Sequence, residues 1–138
     1  VQPNRTPRGA PRGALARRLA REVTLEIPRF IQGVYAFEGQ GLERPVPLRP
    51  VIGYTVPRDK RAQLIYLRAG NSTSELIYLL LTRDGQPMRY FPIGAKAAIH
   101  VPLVIVEDIP PESVLELSVG APEGARGLAT IDIGLAEI

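Results

Sequence analysis

Residues 75–93 read ELIYLLLTR, then Asp84-Gly85, then QPMRYFPI. Two apolar runs flank a two-residue Asp-Gly. A type I′ turn needs φ > 0 at both central residues, which Asp-Gly allows at low steric cost, so the stretch predicts a β-hairpin. With Asp84-Gly85 as the loop, Arg83 faces Gln86. Leu81 then meets Met88, Leu80 meets Arg89, Leu79 meets Tyr90 and Tyr78 meets Phe91. Pro87 has no N–H to give to a ladder, so the return strand is expected at a sheet edge or with a local irregularity. Residues 76–81 are apolar without a break. A half-buried antiparallel strand alternates apolar with polar, so this run predicts a strand covered on both faces. One cover is an opposing sheet. The other is the arm, a loop or another chain. A short buried helix competes for LIYLLL, but the turn signals at Asn71-Ser72 and Asp84-Gly85 favour a strand.

Outward from the hairpin, short apolar stretches recur between turn signals. Upstream, residues 23–27 alternate, with Val23, Leu25 and Ile27 on one face, and Pro28 ends or bulges them. Residues 30–37 form a second candidate, broken at Gly33. Residues 38–50 read as a long loop with a short strand at 46–48. Residues 51–56 and 63–68 read as strands, separated by the charged turn Arg58-Asp59-Lys60-Arg61. Downstream, residues 97–106 put Ile99, Val101, Leu103 and Ile105 in phase, with Pro102 out of phase as at an edge or bulge. Residues 107–113 make a corner. Residues 114–119 turn Leu115, Leu117 and Val119 inward, and residues 130–135 align Ile131, Ile133 and Leu135.

Some eight strands spaced by turns predict an all-β fold: a single antiparallel β-sandwich, jelly-roll or Ig-like, over residues 23–138. No helical pattern of the length a parallel α/β fold needs alternates with them. The 138-residue length fits one domain with a core of its own.

The N-terminal stretch differs in kind. Residues 1–22 hold six Arg against Glu22, a net +5, while residues 23–138 carry −2. Pro3, Pro7, Pro11, Gly9 and Gly13 predict an extended basic arm over 1–13. ALARRLARE at 14–22 predicts one short helix with Leu15 and Leu19 on one stripe, too short to stand alone in water. The arm supplies the partner-binding candidates Arg5, Arg8, Arg12, Leu15, Arg17, Arg18, Leu19 and Arg21. These suit a neighbouring protein subunit, or phosphates, which Arg binds bidentately with release of counterions. A solvated tail is the plain alternative. The hairpin supplies the interface candidates Leu76, Tyr78, Leu80, Tyr90 and Phe91.

Catalytic chemistry finds little footing. With no cysteine, disulfides, thiolate metal sites and cysteine nucleophiles are excluded. His100, alone of its kind, falls opposite Ile99 and Val101 and reads as a surface or interface residue. Glu107-Asp108 is an adjacent acidic pair, and neighbours along a strand point to opposite faces rather than forming a dyad. No catalytic residue, metal or cofactor is expected. Asn4-Arg5-Thr6 and Asn71-Ser72-Thr73 match a glycosylation acceptor that chance often produces. No apolar segment is long enough to span a membrane as a helix, and no secretory leader is visible. Val1 in place of Met reads as a processed or truncated start, and the location expected is intracellular or within an assembly.

These features favour a non-enzymatic structural subunit that self-associates and fastens to a larger assembly by its arm, as a capsid-decorating or scaffold protein does. A nucleic-acid or polyanion-binding module acting through the arm is the first alternative. A small-ligand or carbohydrate-binding accessory sandwich, using loops 38–50, 69–74 and 107–112, is the second.

Overall fold

The computed structural model describes residues 26–50 and 52–138. The expected arm and its short helix at 1–22 lie outside the described residues, as do residues 23–25 of the first expected strand. The described chain is all β, with no helix among the described residues.

Strands β1 (Ile27–Glu38), β10 (Arg126–Glu137), β4 (Ala62–Asn71) and β7 (Ala98–Pro102) form one antiparallel sheet in that order, and β8 (Asp108–Ile109) also pairs β4. Strands β2 (Gly41–Pro47), β9 (Val114–Ala121), β5 (Ile77–Arg83) and β6 (Gln86–Ile93) form the second sheet, where β3 (Gly53–Thr55) also pairs β9. The two sheets pack as a jelly-roll-like sandwich. Among the described residues, β5 and β6 are the only consecutive strands that pair with each other.

That hairpin turns where the sequence predicts. Asp84 and Gly85 take φ of 51° and 79°, the left-handed values a type I′ turn requires. The turn is anchored to β9: the Asp84 N–H donates to the Val114 carbonyl, and Asp84 Oδ1 accepts the Val114 N–H, each at 2.9 Å. Arg83 faces Gln86 as expected, but the register shifts at Leu81/Thr82. From there Leu81 meets Arg89, Leu80 meets Tyr90, Leu79 meets Phe91 and Tyr78 meets Pro92. The one-residue difference follows from Pro87, which cannot complete a regular ladder. It decides which aromatic goes inside, because a shift of one residue exchanges the faces. Phe91 joins the core and Tyr90 points out.

The core is built from inward positions of both sheets. Ile77, Leu79 and Leu81 meet the buried set Leu115, Leu117 and Val119 of β9 and Ile131, Ile133 and Leu135 of β10. On β4, Leu64 and Leu67 are both buried despite opposite parity. A register irregularity between Gly134 and Leu135 accounts for it: Tyr66 pairs Gly134, Leu64 pairs Leu135, and Ile65 is the extra residue, left exposed.

Three sequence expectations need correction. The strand expected to break at Gly33 runs unbroken from Ile27 to Glu38 and contains Pro28, which an edge strand tolerates. The long loop at 38–50 holds β2, an edge strand whose polar and proline-rich sequence hid it. The strand expected over 97–106 stops at Pro102.

Two tyrosines cover glycines on the outer faces. On the β5 sheet, the Tyr78 ring lies over Gly120, where an added Cβ would come within 2.0 Å of it. Its hydroxyl donates to the Leu42 carbonyl of β2. On the other sheet, Tyr66 lies over Gly134, where a Cβ would meet the ring at 2.2 Å. Elsewhere, polar side chains tie the ends. Asn71 Nδ2 donates to the carbonyls of Glu75, Gly94 and Ile93 at 2.8, 3.0 and 3.3 Å. This buried amide closes the top of β4 onto the loops around β5 and β6, so the Asn71-Ser72-Thr73 match is a structural knot. Glu137, inward at the end of β10 and buried, accepts the Tyr54 hydroxyl of the opposite sheet at 2.6 Å and pairs with Arg29 Nε at 3.2 Å. Burial first, then the hydrogen bond to Glu137 and its charge, hold the Tyr54 hydroxyl above the ordinary tyrosine range, against a smaller opposing effect of Arg29.

Gly120→Ala is expected to lower stability by roughly 1–3 kcal/mol through overpacking. The loss should shrink in a Tyr78→Leu background, as read by urea unfolding of both single variants and the double. Equal losses in both backgrounds would show that the ring is not the obstacle. Tyr54 generates a second expectation. Its folded pKa is raised, so its contribution is full below about pH 10, where unfolded tyrosine ionises, and is lost as pH rises beyond. The urea midpoint should therefore fall less steeply above that pH in Tyr54→Phe than in the parent, and identical slopes would contradict it.

Candidate functional site

The termination of β7 creates the first surface. The flank of β4 carries β7 at residues 66–70 and β8 at residues 62–63. Residues 103–107 must bridge the little of β4 left between them. Leu103 still donates its N–H to the Ile65 carbonyl at 2.9 Å. The residues after it have no strand left to pair with, so they bow outward. Val104 is 95% exposed and Ile105 72%. Alternation predicts Ile105 inside, and pairing geometry puts it outside.

This loop walls a groove of about 480 Å³ between β7 and the edge strand β6 of the other sheet. Tyr90, Pro92, Val101, Pro102, Val104 and Ile105 line it. Arg89 at the rim pairs with Glu107. The groove is therefore an apolar slot with one neutralised ion pair beside it, a chemistry suited to binding apolar side chains.

The second surface is the outer face of the β1–β10–β4–β7 sheet. Register sets Gln32 opposite Asp132, Asp132 opposite Arg68, and Arg68 opposite His100, one residue per strand across four strands. Gln32 Nε2 and the Tyr66 hydroxyl both donate to Asp132 Oδ1 at 3.1 Å. The Arg68 Cζ lies 5.1 Å from the Tyr66 ring centroid, and the His100 ring meets Tyr66 edge-on at 6.1 Å. Phe30, 58% exposed, sits on the other flank of Gly134 from Tyr66. An amide, a carboxylate, a guanidinium and an imidazole thus form a row beside two aromatic rings.

The five hairpin candidates separate. Leu76 lies before β5 and is 52% exposed, Tyr90 is 58% exposed, and Tyr78 is half-buried. Leu80 and Phe91 are buried. The expectation that both faces of 76–81 are covered thus holds at Leu80, in part at Tyr78, and fails at Leu76. Leu80 stands in register between Tyr90 and Ser118, and Tyr78 spreads over Gly120. The apolar run does not present a broad outer face awaiting a second chain. The arm residues Arg5, Arg8, Arg12, Leu15, Arg17, Arg18, Leu19 and Arg21 lie outside the described residues. Of the acidic pair, Glu107 takes Arg89, while Asp108 takes Arg61 at 3.2 Å and Gln63 at 2.7 Å. No group of three or more metal-ligating side chains of the His, Cys, Asp or Glu type gathers among the described residues.

Sequence reading missed the residue 103–106 surface, although Pro102 directly before four aliphatic residues is a local sign of it. It also missed the polar row. No local sign exists there, because residues 32, 68, 100 and 132 meet only through strand order.

No family model and no curated protein matches the chain. Among solved structures it is similar to the CBM36-1 domain of a multidomain xylanase from the hindgut metagenome of Trinervitermes trinervoides. That match has a TM-score of 0.51 and 16% identity over 80% of this chain and 96% of that one. It is also similar to a chain of infectious bursal disease virus Gx strain, with a TM-score of 0.42 and 14% identity over 80% of this chain and 32% of that one. A third is the exo-beta-1,3-galactanase of Phanerochaete chrysosporium, with a TM-score of 0.38 and 11% identity over 84% and 30%. At such identities the likeness is one of fold, and the first match agrees with the jelly-roll-like sandwich.

Replacing Val104 and Ile105 together by Asp is expected to leave the unfolding free energy within roughly 0.5 kcal/mol, since both side chains are exposed. The same change should remove most of the fluorescence gained by a dye that reports apolar surface. A large stability loss would mean that the loop is packed rather than presented.

Proposed function

We propose that this protein is a non-enzymatic assembly module that docks a protein subunit through the apolar edge made by Tyr90, Pro102, Val104 and Ile105. One observation carries the reading: consecutive aliphatic side chains, 95% and 72% exposed, stand beside an apolar groove. Single exposed apolar residues are ordinary, but a contiguous group next to a slot marks an interaction surface. The Arg-rich segment at 1–22 is the proposed second attachment, to protein or to a polyanion. The test is a photo-cross-linking residue at position 90 in the full chain, expressed in its native host. One defined protein adduct is expected, and it should disappear when Ile105→Asp is added. An adduct indifferent to Ile105→Asp, or none above that of a linker placed at Asp59, would end the proposal.

A separate observation favours a second reading, glycan binding. Planar polar side chains in a row suit sugar hydroxyls, and exposed aromatic rings suit sugar faces. The row of Gln32, Asp132, Arg68 and His100 beside the exposed Phe30 ring and the half-buried Tyr66 ring offers both, on a fold similar to that of a carbohydrate-binding domain. Affinity electrophoresis against soluble polysaccharides, xylan included, tests it. Retardation by one of them, lost in Arg68→Ala and kept in Val104→Asp, is the outcome it requires.

A further inference from the structure

Sheet edges are where unpaired backbone N–H and C=O groups invite another strand, and proteins usually blunt them. Among the described residues, three of the four strands that end the two sheets are blunted. Strand β2 carries Pro45 and Pro47, and its ladder is broken between Gly41 and Val46. Strand β6 carries Pro87 and Pro92. Strand β7 ends in Pro102 after five residues. Strand β1 is different. It runs for 12 residues, and after Pro28 it has no proline. From Phe30 to Phe37 it reads FIQGVYAF, without a charge. Its outward residues Phe30 and Val34 are 58% and 62% exposed.

We infer that β1 pairs with β1 of a second copy, antiparallel, across a two-fold axis that passes between the two Gln32 residues. The register follows from the pleat. Directly opposed residues point to the same face. An axis perpendicular to the sheet therefore sets outward residues opposite outward residues. Centring on Gln32 places Phe30 opposite Val34 of the second copy, twice. Centring on Gly33 would set Phe30 against Ala36, and centring on Val34 would set it against Glu38. Only the Gln32 centre joins the two exposed apolar side chains, which is why a second copy fits this edge. Each Gln32 amide spends one N–H on Asp132 and keeps its oxygen and a second N–H for its twin. At the ends Glu26 falls opposite Glu38, whose charge Arg126 offsets at 3.2 Å.

Pairing in this way continues the sheet through both copies and leaves their two polar rows on one side. The surface is separate from the groove at Tyr90 and Ile105, so dimerisation and docking stand or fall independently.

Light scattering on the full chain should give twice the mass of one chain, dissociating on dilution, with amide exchange across residues 29–38 slowing as the dimer forms. A charge exchange tests the register. Phe30→Lys with Val34→Lys places like charges directly opposite and should yield monomer. So should Phe30→Glu with Val34→Glu. Mixing the two proteins should restore a dimer containing one of each, because every Lys then faces a Glu. A single-chain mass at every concentration overturns the inference. So do β1 amides protected independently of concentration, which would mean the chain covers its own edge. Single-sign variants that remain dimeric, or a mixture that stays monomeric, overturn it equally.

Discussion

The two sheets share no backbone ladder, so the sandwich rests on the side chains packed between them. Apart from β5 and β6, consecutive strands do not pair with each other. The chain crosses repeatedly between the layers, and each crossing is rewarded only when inward residues from both sheets meet. Leu79, Leu117, Ile131, Ile133 and Leu67 are those residues, each essentially without solvent contact. Burial of such side chains contributes roughly 1.5–3 kcal/mol apiece before the entropy of ordering the chain is counted. The Tyr54 hydroxyl on Glu137 adds a polar tie between the layers at one end, where the apolar filling gives way to a buried carboxylate.

With the interior committed to holding the layers together, the outer faces and edges are left to carry function. Tyr78 over Gly120 and Tyr66 over Gly134 each cover one position of an outer face with the protein's own ring. What remains open is specific. One corner exposes aliphatic side chains because β7 and β8 divide the flank of β4 between them. One face presents a polar row because four strands bring single residues abreast. One edge, β1, is long and carries neither proline nor charge from Phe30 to Phe37. Each property follows from strand order rather than from a local motif.

Much of this was legible in advance, and the failures have physical causes. The Asp84-Gly85 turn and the inward sets on β9 and β10 follow from local rules: positive φ in the turn and a period of two in the strands. Register within the hairpin failed beyond Thr82, since alternation does not say where a proline will force an extra residue. Phe91 and Tyr90 therefore pair with Leu79 and Leu80 instead of with Tyr78 and Leu79. Ile105 failed for a longer-range reason. Its phase was correct, but β4 had no position left to pair it. Strand β2 was hidden because an edge strand need not look apolar. Residues 32, 68, 100 and 132 could not be grouped without strand order.

By itself, the sequence determined that the described residues would be all β, that they would turn at Asp84-Gly85, and which faces of β9 and β10 would be buried, because those properties depend on neighbours within a few residues. It also excluded thiolate chemistry, which depends on composition alone. Tertiary structure alone decided which strands would be edges, which aliphatic run would be left in water, and which polar side chains would stand abreast. The reason is that pairing partners are finite: once one strand has taken a flank of β4, the next must do without it.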